Sequence, residues 1–147
     1  MAQVRQADAN WSGDLLSGGG SVSATSSGIF SDQAITWRAR TEASEGKTSP
    51  EELLAAAHAA CYSMALSHEL AQAGFAPERV DVSVVVSADK TDSGWTVLSS
   101  AITVRAKVPG ADEATFLEKA NAAKGGCPIS KAISDSVEIT LEATLES

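Results

Sequence analysis

The sequence predicts an α+β fold from three observations. Residues 50–73 form the longest apolar run with a helical pattern, residues 80–108 and 137–145 have strand composition, and the first forty residues hold short strand-like segments between turns. At 147 residues, 44% of them hydrophobic and 20% charged, the chain is long enough to bury a sizeable core. We therefore expect a single domain over residues 1–147 with mostly antiparallel strands.

The first part of the chain is predicted to form three short strands. Residues 8–13 and 21–25 have strand composition and are separated by Ser17-Gly18-Gly19-Gly20, which favours a turn. Residues 34–40 (AITWRAR) alternate well enough to predict a third strand. The polar stretch 42–48 follows as a loop.

A long helix is predicted to begin after Ser49. Ser49 is a good N-cap, Pro50 suits the first helical position, and Glu52 completes a capping-box pattern. The pattern continues to Ala73, and Gly74 is the expected stop. Because the alanine-rich middle is apolar nearly all round, we expect a central helix that is buried on most sides.

The second half of the chain completes the α+β pattern. The predicted elements, in order, are strands at 80–88 and 95–108 joined by a turn at 89–94, helices at 111–122 and 127–133, and a final strand at 137–145.

Composition narrows the possible partners and location. The net charge of −8 argues against nucleic acid and anionic membranes, since both bind basic patches. The N-terminus lacks the apolar core of a signal peptide, and no stretch approaches a membrane span of about 20 apolar residues. We expect a cytoplasmic protein without a cofactor, in a compartment where thiols stay reduced.

Two motif matches fail on spacing. Gly46-Lys47-Thr48 ends like a phosphate-binding loop, but the position of that motif's first glycine holds Thr41. Two cysteines and two histidines invite a zinc site, yet His58 and His68 are ten apart and no ligand pair has zinc-site spacing. Neither phosphate-loop nor zinc chemistry is expected.

His58 precedes Cys61 by three positions, which makes the two residues neighbours on the predicted helix. A Cys-His hydrolase dyad is one interpretation of this spacing. No oxyanion-hole loop or third orienting group is identifiable, so a packed or surface histidine is favoured.

Five stretches of the chain match the pattern of a known family: 49–54, 56–66, 74–77, 108–110 and 122–133, which include Ala56 to Leu66 (AAHAACYSMAL) and Ala122 to Ile133 (AAKGGCPISKAI). On these residues the chain resembles the osmotically inducible and organic hydroperoxide resistance proteins (OsmC/Ohr). The Ala-His-Ala-Ala-Cys form is more similar to the OsmC branch. The resemblance implies an OsmC-like fold, with sheets wrapped around a long central helix, an intertwined homodimer and thiol-dependent peroxidase activity.

The same resemblance assigns roles to four residues. Cys61 is expected to attack the peroxide, Cys127 to resolve the sulfenic acid as a disulfide, and Glu51 to hold an arginine. Both Arg38 and Arg40 lie on the predicted third strand, two positions apart and so on one side; alignment back from Pro50 favours Arg40.

A cation is required by the chemistry of the thiol. A free cysteine has a pKa of about 8.5 and is mostly protonated at neutral pH, and burial in an apolar helix raises its pKa further. Arginine suits the task because it stays charged and directs several donors.

The substrate is expected to be apolar. The positions around the two cysteines that we predict to line a pocket are Leu53, Leu54, Met64, Phe75 and Ile129. Such a lining favours organic hydroperoxides over hydrogen peroxide, because each buried CH₂ contributes about 0.8 kcal/mol. The resemblance implies an external dithiol reductant of lipoyl type. The alternative is a hydrophobic-ligand-binding dimer of the same fold without turnover.

The spacing of Glu51 and Cys61 predicts a site shared between two chains. Ten helical residues rise about 15 Å, farther than one Arg40 can bridge. If two such helices pack antiparallel in a dimer, Glu51 and Arg40 of one chain can serve the partner's Cys61. The alternative is a bent helix start, or a Glu51 that only favours the helix dipole.

Overall fold

In the computed structural model, which describes residues 1–147, the chain divides into two units, Met1–Leu53 and Leu54–Ser147. The first unit holds strands β1 (Asp8–Ser12), β2 (Gly19–Ser23) and β3 (Gln33–Ile35), helix α1 (Trp37–Thr41) and the first turn of helix α2 (Pro50–Gln72). The second holds the rest of α2, strands β4 (Arg79–Thr91) and β5 (Gly94–Lys107), helices α3 (Glu113–Gly126) and α4 (Pro128–Ile133), and strand β6 (Glu138–Glu146).

The first unit contains an antiparallel sheet in the order β1-β2-β3. Strand β2 begins at Gly19, so two glycines of the expected turn belong to the strand. Gly20 passes so close to β1 that a Cβ built there would lie 1.9 Å from the carbonyl oxygen of Asn10. A glycine is therefore required where these two strands pair.

The predicted strand over residues 34–40 is wrong after Ile35. Strand β3 ends there, the Thr36 hydroxyl accepts a hydrogen bond from the Ala39 N–H at 3.1 Å, and helix α1 follows. A seven-residue alternating segment cannot by itself exclude a helical turn, and the N-cap threonine decides the outcome here. Arg38 and Arg40 therefore lie about 200° apart around a helix instead of on one side of a strand.

Helix α2 begins and ends as the sequence predicts. The Ser49 hydroxyl accepts a hydrogen bond from the Glu52 N–H at 3.1 Å, and Pro50 occupies the first turn. At the other end Gly74 adopts φ +88°, and the Phe75 N–H reaches the Leu70 carbonyl at 2.9 Å, as in a Schellman motif. The helix needs no tertiary contact to define either end.

One face of α2, not most of it, is buried within the chain. Its fully buried residues are His58, Tyr62, Leu66 and Leu70. The opposite face exposes Ala56, Ala57, Ala60 and Met64, the last at 67%. The expectation of a helix buried on most sides is therefore not met by a single chain.

The sheet of the second unit has the order β4-β5-β6. Strands β4 and β5 form an antiparallel hairpin whose paired residues extend to Thr91 and Gly94, so the predicted turn at 89–94 shrinks to Asp92 and Ser93. Strand β6 runs parallel to β5, because helices α3 and α4 carry the chain back before it pairs. The antiparallel prediction holds for every strand pair but this one.

One apolar core joins α2, β5 and α3 in the second unit. Its buried members are Tyr62, Leu66, Leu70, Ile102, Val104, Ala106, Val108, Phe116, Ala120 and Ala123. The Tyr62 hydroxyl donates to the Ala120 carbonyl at 3.0 Å, which ties α2 to α3. Cys61, next to Tyr62, and Cys127, at the end of α3, are thus fixed by the same core.

No helix is both long and apolar enough to span a membrane.

Candidate active site

Two cysteines meet in the second unit. Cys61 lies in the middle of α2, and Cys127 lies between α3 and α4, where Pro128 opens the short helix. Both thiols are free, and their sulfur atoms are 2.9 Å apart, well beyond the length of about 2.05 Å of a disulfide bond. Cys127 is fully buried, whereas Cys61 is partly exposed. The two sulfur atoms need to move only slightly closer to form a disulfide bond.

The surroundings of the two thiols act on their pKa values in opposite directions. Burial, followed by the hydrogen bond with Cys127, raises the pKa of Cys61. Burial also acts to raise the pKa of Cys127, but hydrogen bonds with Cys61, Ser130 and Ile129 outweigh it and lower the value. Because the sulfurs share a proton, they titrate as a pair. The raised pKa of Cys61 agrees with the expectation from the sequence that burial in the helix disfavours its thiolate.

Donors around Cys127 come from the start of α4. The Cys127 side chain makes no regular N-cap hydrogen bond, but the N–H groups of Ile129 and Ser130 and the Ser130 hydroxyl favour its thiolate. The Ile129 N–H also favours a Cys61 thiolate. The backbone of Ile129 therefore contacts the thiol pair, although the sequence suggested a role for its apolar side chain.

Arg40 and Glu51 form an ion pair in the first unit. Arg40 Nη2 lies 2.7 Å from Glu51 Oε1, and Arg40 Nε lies 2.9 and 3.1 Å from the two carboxylate oxygens. The guanidinium also lies 5.7 Å from the centre of the Trp37 ring. With side-chain exposures of 27% and 13%, the pair is largely shielded from water.

Arg38 takes a different partner. Its Nε lies 3.0 Å from Glu42 Oε2, and both side chains are more than 60% exposed. An exposed pair of this kind contributes under about 1 kcal/mol. Of the two arginines that the sequence left open, Arg40 is the one in contact with Glu51.

An apolar cavity of about 360 Å³ opens beside Cys61. Its other lining residues are Met64, Ala65, His68, Glu69, Ala123, Gly126 and Pro128. Of the five residues predicted to line a pocket, only Met64 lines this cavity. Phe75 instead packs against the buried core. Its ring lies beside Gly110, where a Cβ built on that glycine would be 3.8 Å from the ring. Contact of Leu53, Leu54, Phe75 and Ile129 with a substrate stays a prediction.

His58 is a packed histidine, not a partner of Cys61. Its Nδ1 lies 2.7 Å from Ser100 Oγ and its Nε2 lies 2.8 Å from Ser130 Oγ, and all three residues are buried. Both ring nitrogens are therefore occupied by serines, and the Cys-His dyad is excluded. Burial lowers the pKa of His58 and keeps the ring neutral. The one sequence signal for this network is weak: Ser100 is a polar residue at an inward position of the apolar strand β5.

A close dithiol pair, one sulfur buried and one beside an apolar cavity, defines a thiol-based redox protein of α+β fold. Residues 43–142 match the family model of the OsmC-like proteins, and the chain belongs to that family.

Individual relatives agree with this assignment. The chain is 43% identical to the peroxiredoxin OsmC of Escherichia coli (strain K12), over 147 residues and the full length of both proteins. It is 33% identical to the organic hydroperoxide resistance protein OhrA of Bacillus subtilis over 117 residues, 76% of this chain and 77% of OhrA. The crystal structure of Bacillus subtilis OhrB superposes with a TM-score of 0.69 at 27% identity, covering 95% of this chain and 98% of that one. The greater similarity to an OsmC protein agrees with the branch predicted from the sequence.

Proposed function

We propose that this protein is a thiol-dependent peroxidase that reduces organic hydroperoxides to alcohols. The observation that carries the proposal is the pair of free thiols 2.9 Å apart beside an apolar cavity. The Cys61 thiolate attacks the terminal peroxide oxygen, the O–O bond breaks, and the alcohol leaves as Cys61 becomes a sulfenic acid. Cys127 then attacks the Cys61 sulfur, which forms a disulfide and releases water. The names of the relatives in Escherichia coli and Bacillus subtilis support the same chemistry.

Arg40 and Glu51 act on the first of these steps. Burial disfavours the Cys61 thiolate, and a guanidinium beside the sulfur compensates for the lost solvation. Two carboxylate oxygens of Glu51 fix the orientation of that guanidinium. Held in this way, Arg40 also polarises the peroxide oxygen under attack.

The active site is shared between the two chains of an intertwined homodimer, each chain forming a single OsmC-like domain over residues 1–147. Helix α2 is one helix from Pro50 to Gln72, and ten residues of it separate Glu51 from Cys61. Its exposed face carries Ala56, Ala57 and Ala60, whose small side chains allow another helix to approach closely. A second α2 packed antiparallel on this face covers it and brings Glu51 and Arg40 of one chain to the partner's cysteine.

Subunit exchange tests the shared site. Cys61→Ser chains are mixed with Arg40→Ala chains under conditions where subunits exchange, and activity is measured with cumene hydroperoxide and a dithiol. Half of the chains then sit in mixed dimers with one intact site, so about a quarter of the wild-type activity should return. No recovery despite exchange verified by mass spectrometry would place both residues in one chain.

The substrate is an alkyl or lipid hydroperoxide, and the reductant is a dithiol. The apolar cavity beside Cys61 accepts hydrocarbon more readily than water. The Cys61–Cys127 disulfide is reopened by exchange with an external dithiol, for which a lipoyl-type compound has suitably close thiols. This reduction keeps the protein active in a reducing compartment such as the cytoplasm.

A coupled assay decides whether the protein turns over at all. The purified protein is mixed with cumene hydroperoxide and dihydrolipoamide, and loss of hydroperoxide and formation of cumyl alcohol are followed. Many equivalents of alcohol per protein chain are expected. Saturable binding of the hydroperoxide with no alcohol formed would instead identify a hydrophobic-ligand-binding protein of the same fold.

A further inference from the structure

A buried chain of polar side chains leads from the sheet to the second cysteine. Ser100 on β5, His58 on α2 and Ser130 on α4 are linked by the 2.7 and 2.8 Å contacts of the imidazole. Ser130 lies in the first turn of α4, which begins directly after Cys127, and its hydroxyl acts to lower the pKa of Cys127. Ser100 and His58 have no exposed surface, and Ser130 is 3% exposed. No step of the proposed peroxidase cycle so far uses this network.

The direction of the hydrogen bonds decides what the network does to the sulfur. A neutral imidazole carries one proton, so one ring nitrogen donates and the other accepts. If Ser100 donates to Nδ1, then Nε2–H donates to Ser130 Oγ, and the Ser130 O–H is free to donate to Cys127. In the opposite direction the Ser130 proton points at Nε2, and the Cys127 sulfur must keep its own proton to donate. Only the first arrangement stabilises a thiolate.

We propose that His58 is a positioning residue for the resolving step, which fixes the Ser130 hydroxyl so that it donates its hydrogen bond to the Cys127 thiolate. The inference rests on the proposed peroxidase function and assigns its second half-reaction to residues outside the thiol pair. The lowered pKa of His58 supports it, because a neutral ring can supply the single Nε2 proton without placing a buried charge beside the sulfur.

The resolving step balances with these groups alone. The Cys127 thiolate attacks the Cys61 sulfur of the sulfenic acid, an S–S bond forms, and the S–O bond breaks. Hydroxide leaves and takes up the proton that Cys127 lost, so that the products are one disulfide and one water. The Ser130 hydroxyl stabilises the negative charge on the Cys127 sulfur before the attack and keeps its own proton throughout.

Two other titratable groups act on Cys127, and both belong to α2. Cys61 shares its hydrogen bond with Cys127, and burial, followed by the Cys127 charge, raises the pKa of Tyr62. Replacing Cys61 with serine removes the first of these from a titration, while Tyr62 stays hydrogen-bonded to Ala120 and is the same in every variant.

The test is a direct titration of Cys127. In a Cys61→Ser background Cys127 is the only thiol, and its ionisation is followed by absorbance at 240 nm against pH. Ser130→Ala should raise the Cys127 pKa by about one to two units, the effect of one hydrogen bond to a charged group. Ser134→Ala is the matched control, since the exposed Ser134 hydroxyl contacts only the Lys131 carbonyl, and it should leave the pKa unchanged.

Two neutral substitutions of His58 separate positioning from packing. His58→Gln places an amide N–H near the Nε2 position and should preserve the wild-type Cys127 pKa. His58→Asn reaches only the Nδ1 position, leaves Ser130 undirected and should raise the pKa as Ser130→Ala does. This pair decides the question even if Ser130→Ala fails to fold. Equal Cys127 pKa values in the wild-type background, His58→Gln and His58→Asn would overturn the inference.

Kinetics in the presence of Cys61 distinguish this inference from the peroxidase function itself. Ser130→Ala should slow disulfide formation about tenfold at neutral pH, with more dimedone-trapped sulfenic acid. The first oxidation should not be slowed, because the shared proton moves towards Cys127 and leaves Cys61 to ionise. If no variant oxidises Cys61 at all but the pKa shifts are found, the peroxidase proposal fails and the positioning role stands. If turnover is normal but no variant shifts the Cys127 pKa, the positioning role fails and the peroxidase proposal stands.

Discussion

The two cysteines of this protein are neighbours in contrasting environments. Cys61 is carried by an apolar helix at the rim of an apolar cavity, where burial raises its pKa. Cys127, 2.9 Å away, is fully buried, which acts to raise its pKa, but hydrogen bonds with Cys61, Ser130 and Ile129 outweigh burial and lower the pKa. Exposure alone would have predicted the opposite order. Hydrogen-bond donors decide it, because they act on the charged form directly.

The two thiols differ in the groups that favour ionisation of each one. The groups that favour a Cys127 thiolate are Cys61 itself and the donors of Ser130 and Ile129 in the short segment that follows Cys127. Cys61 has one such donor, the Ile129 N–H, and its burial outweighs that donor. A chain with the proposed peroxidase chemistry therefore has to bring a cation to Cys61, and we propose that this cation is Arg40, which Glu51 holds in place.

Removing each thiol in turn gives the largest expected effect. Cys61→Ser should abolish hydroperoxide turnover, because the attacking sulfur is lost. Cys127→Ser should still oxidise Cys61 once, and the resulting sulfenic acid should be trapped by dimedone and detected by mass spectrometry. Full activity in the Cys61 variant would reverse the assignment of the two thiols.

Comparison of Arg40 with Arg38 tests whether Cys61 needs the cation that Glu51 holds. Arg40→Ala should lower kcat/KM for cumene hydroperoxide by about 10- to 100-fold, the range for loss of hydrogen bonds to a charged group. The matched Arg38→Ala change removes only the exposed pair with Glu42 and should alter kcat/KM less than twofold. Equal losses in both variants would mean that Arg40 has no special role.

The cavity beside Cys61 predicts a preference among peroxides. The ratio of kcat/KM for cumene hydroperoxide to that for hydrogen peroxide should be at least about tenfold, from two or more buried carbons. Met64→Ser, within the lining, should reduce this ratio several-fold. Leu117→Ser on α3, which lies outside the lining, is the control and should leave it unchanged. Equal efficiency with both peroxides would contradict an apolar approach to the thiol.

The smallest expected effect is on stability and concerns His58. Its pKa in the folded protein is lowered from 6.5, so below pH 6.5 the unfolded chain takes up a proton at this site that the folded protein does not. The free energy of unfolding should therefore fall as the pH drops below 6.5, until the folded pKa is reached. In His58→Gln this part of the pH dependence should disappear, as measured by the change in Tm between pH 7.5 and pH 5. An unchanged slope would mean that folding does not lower the pKa of His58.

Much of the fold follows from local sequence signals. The Ser49 cap, the Pro50 position and the Gly74 stop define α2 within a few residues, because caps and turns act through neighbouring backbone groups. The apolar alternation of β4, β5 and β6 locates the second sheet, although strand ends extend beyond the predicted bounds where cross-strand pairing continues. The motifs around Cys61 and Cys127 also single out the two thiols whose sulfurs lie 2.9 Å apart in the fold.

Tertiary structure alone decided the partners of the polar groups. Residues 34–40 alternate like a strand, and only the folded chain places Arg40 on a helix against Glu51 and Arg38 in solvent. His58 meets Ser100 and Ser130 across 42 and 72 positions of sequence, a separation at which no local pattern specifies contact. The physical reason is that periodicity reports which face of an element is apolar, whereas a buried polar side chain takes the partner that packing of distant elements brings to it.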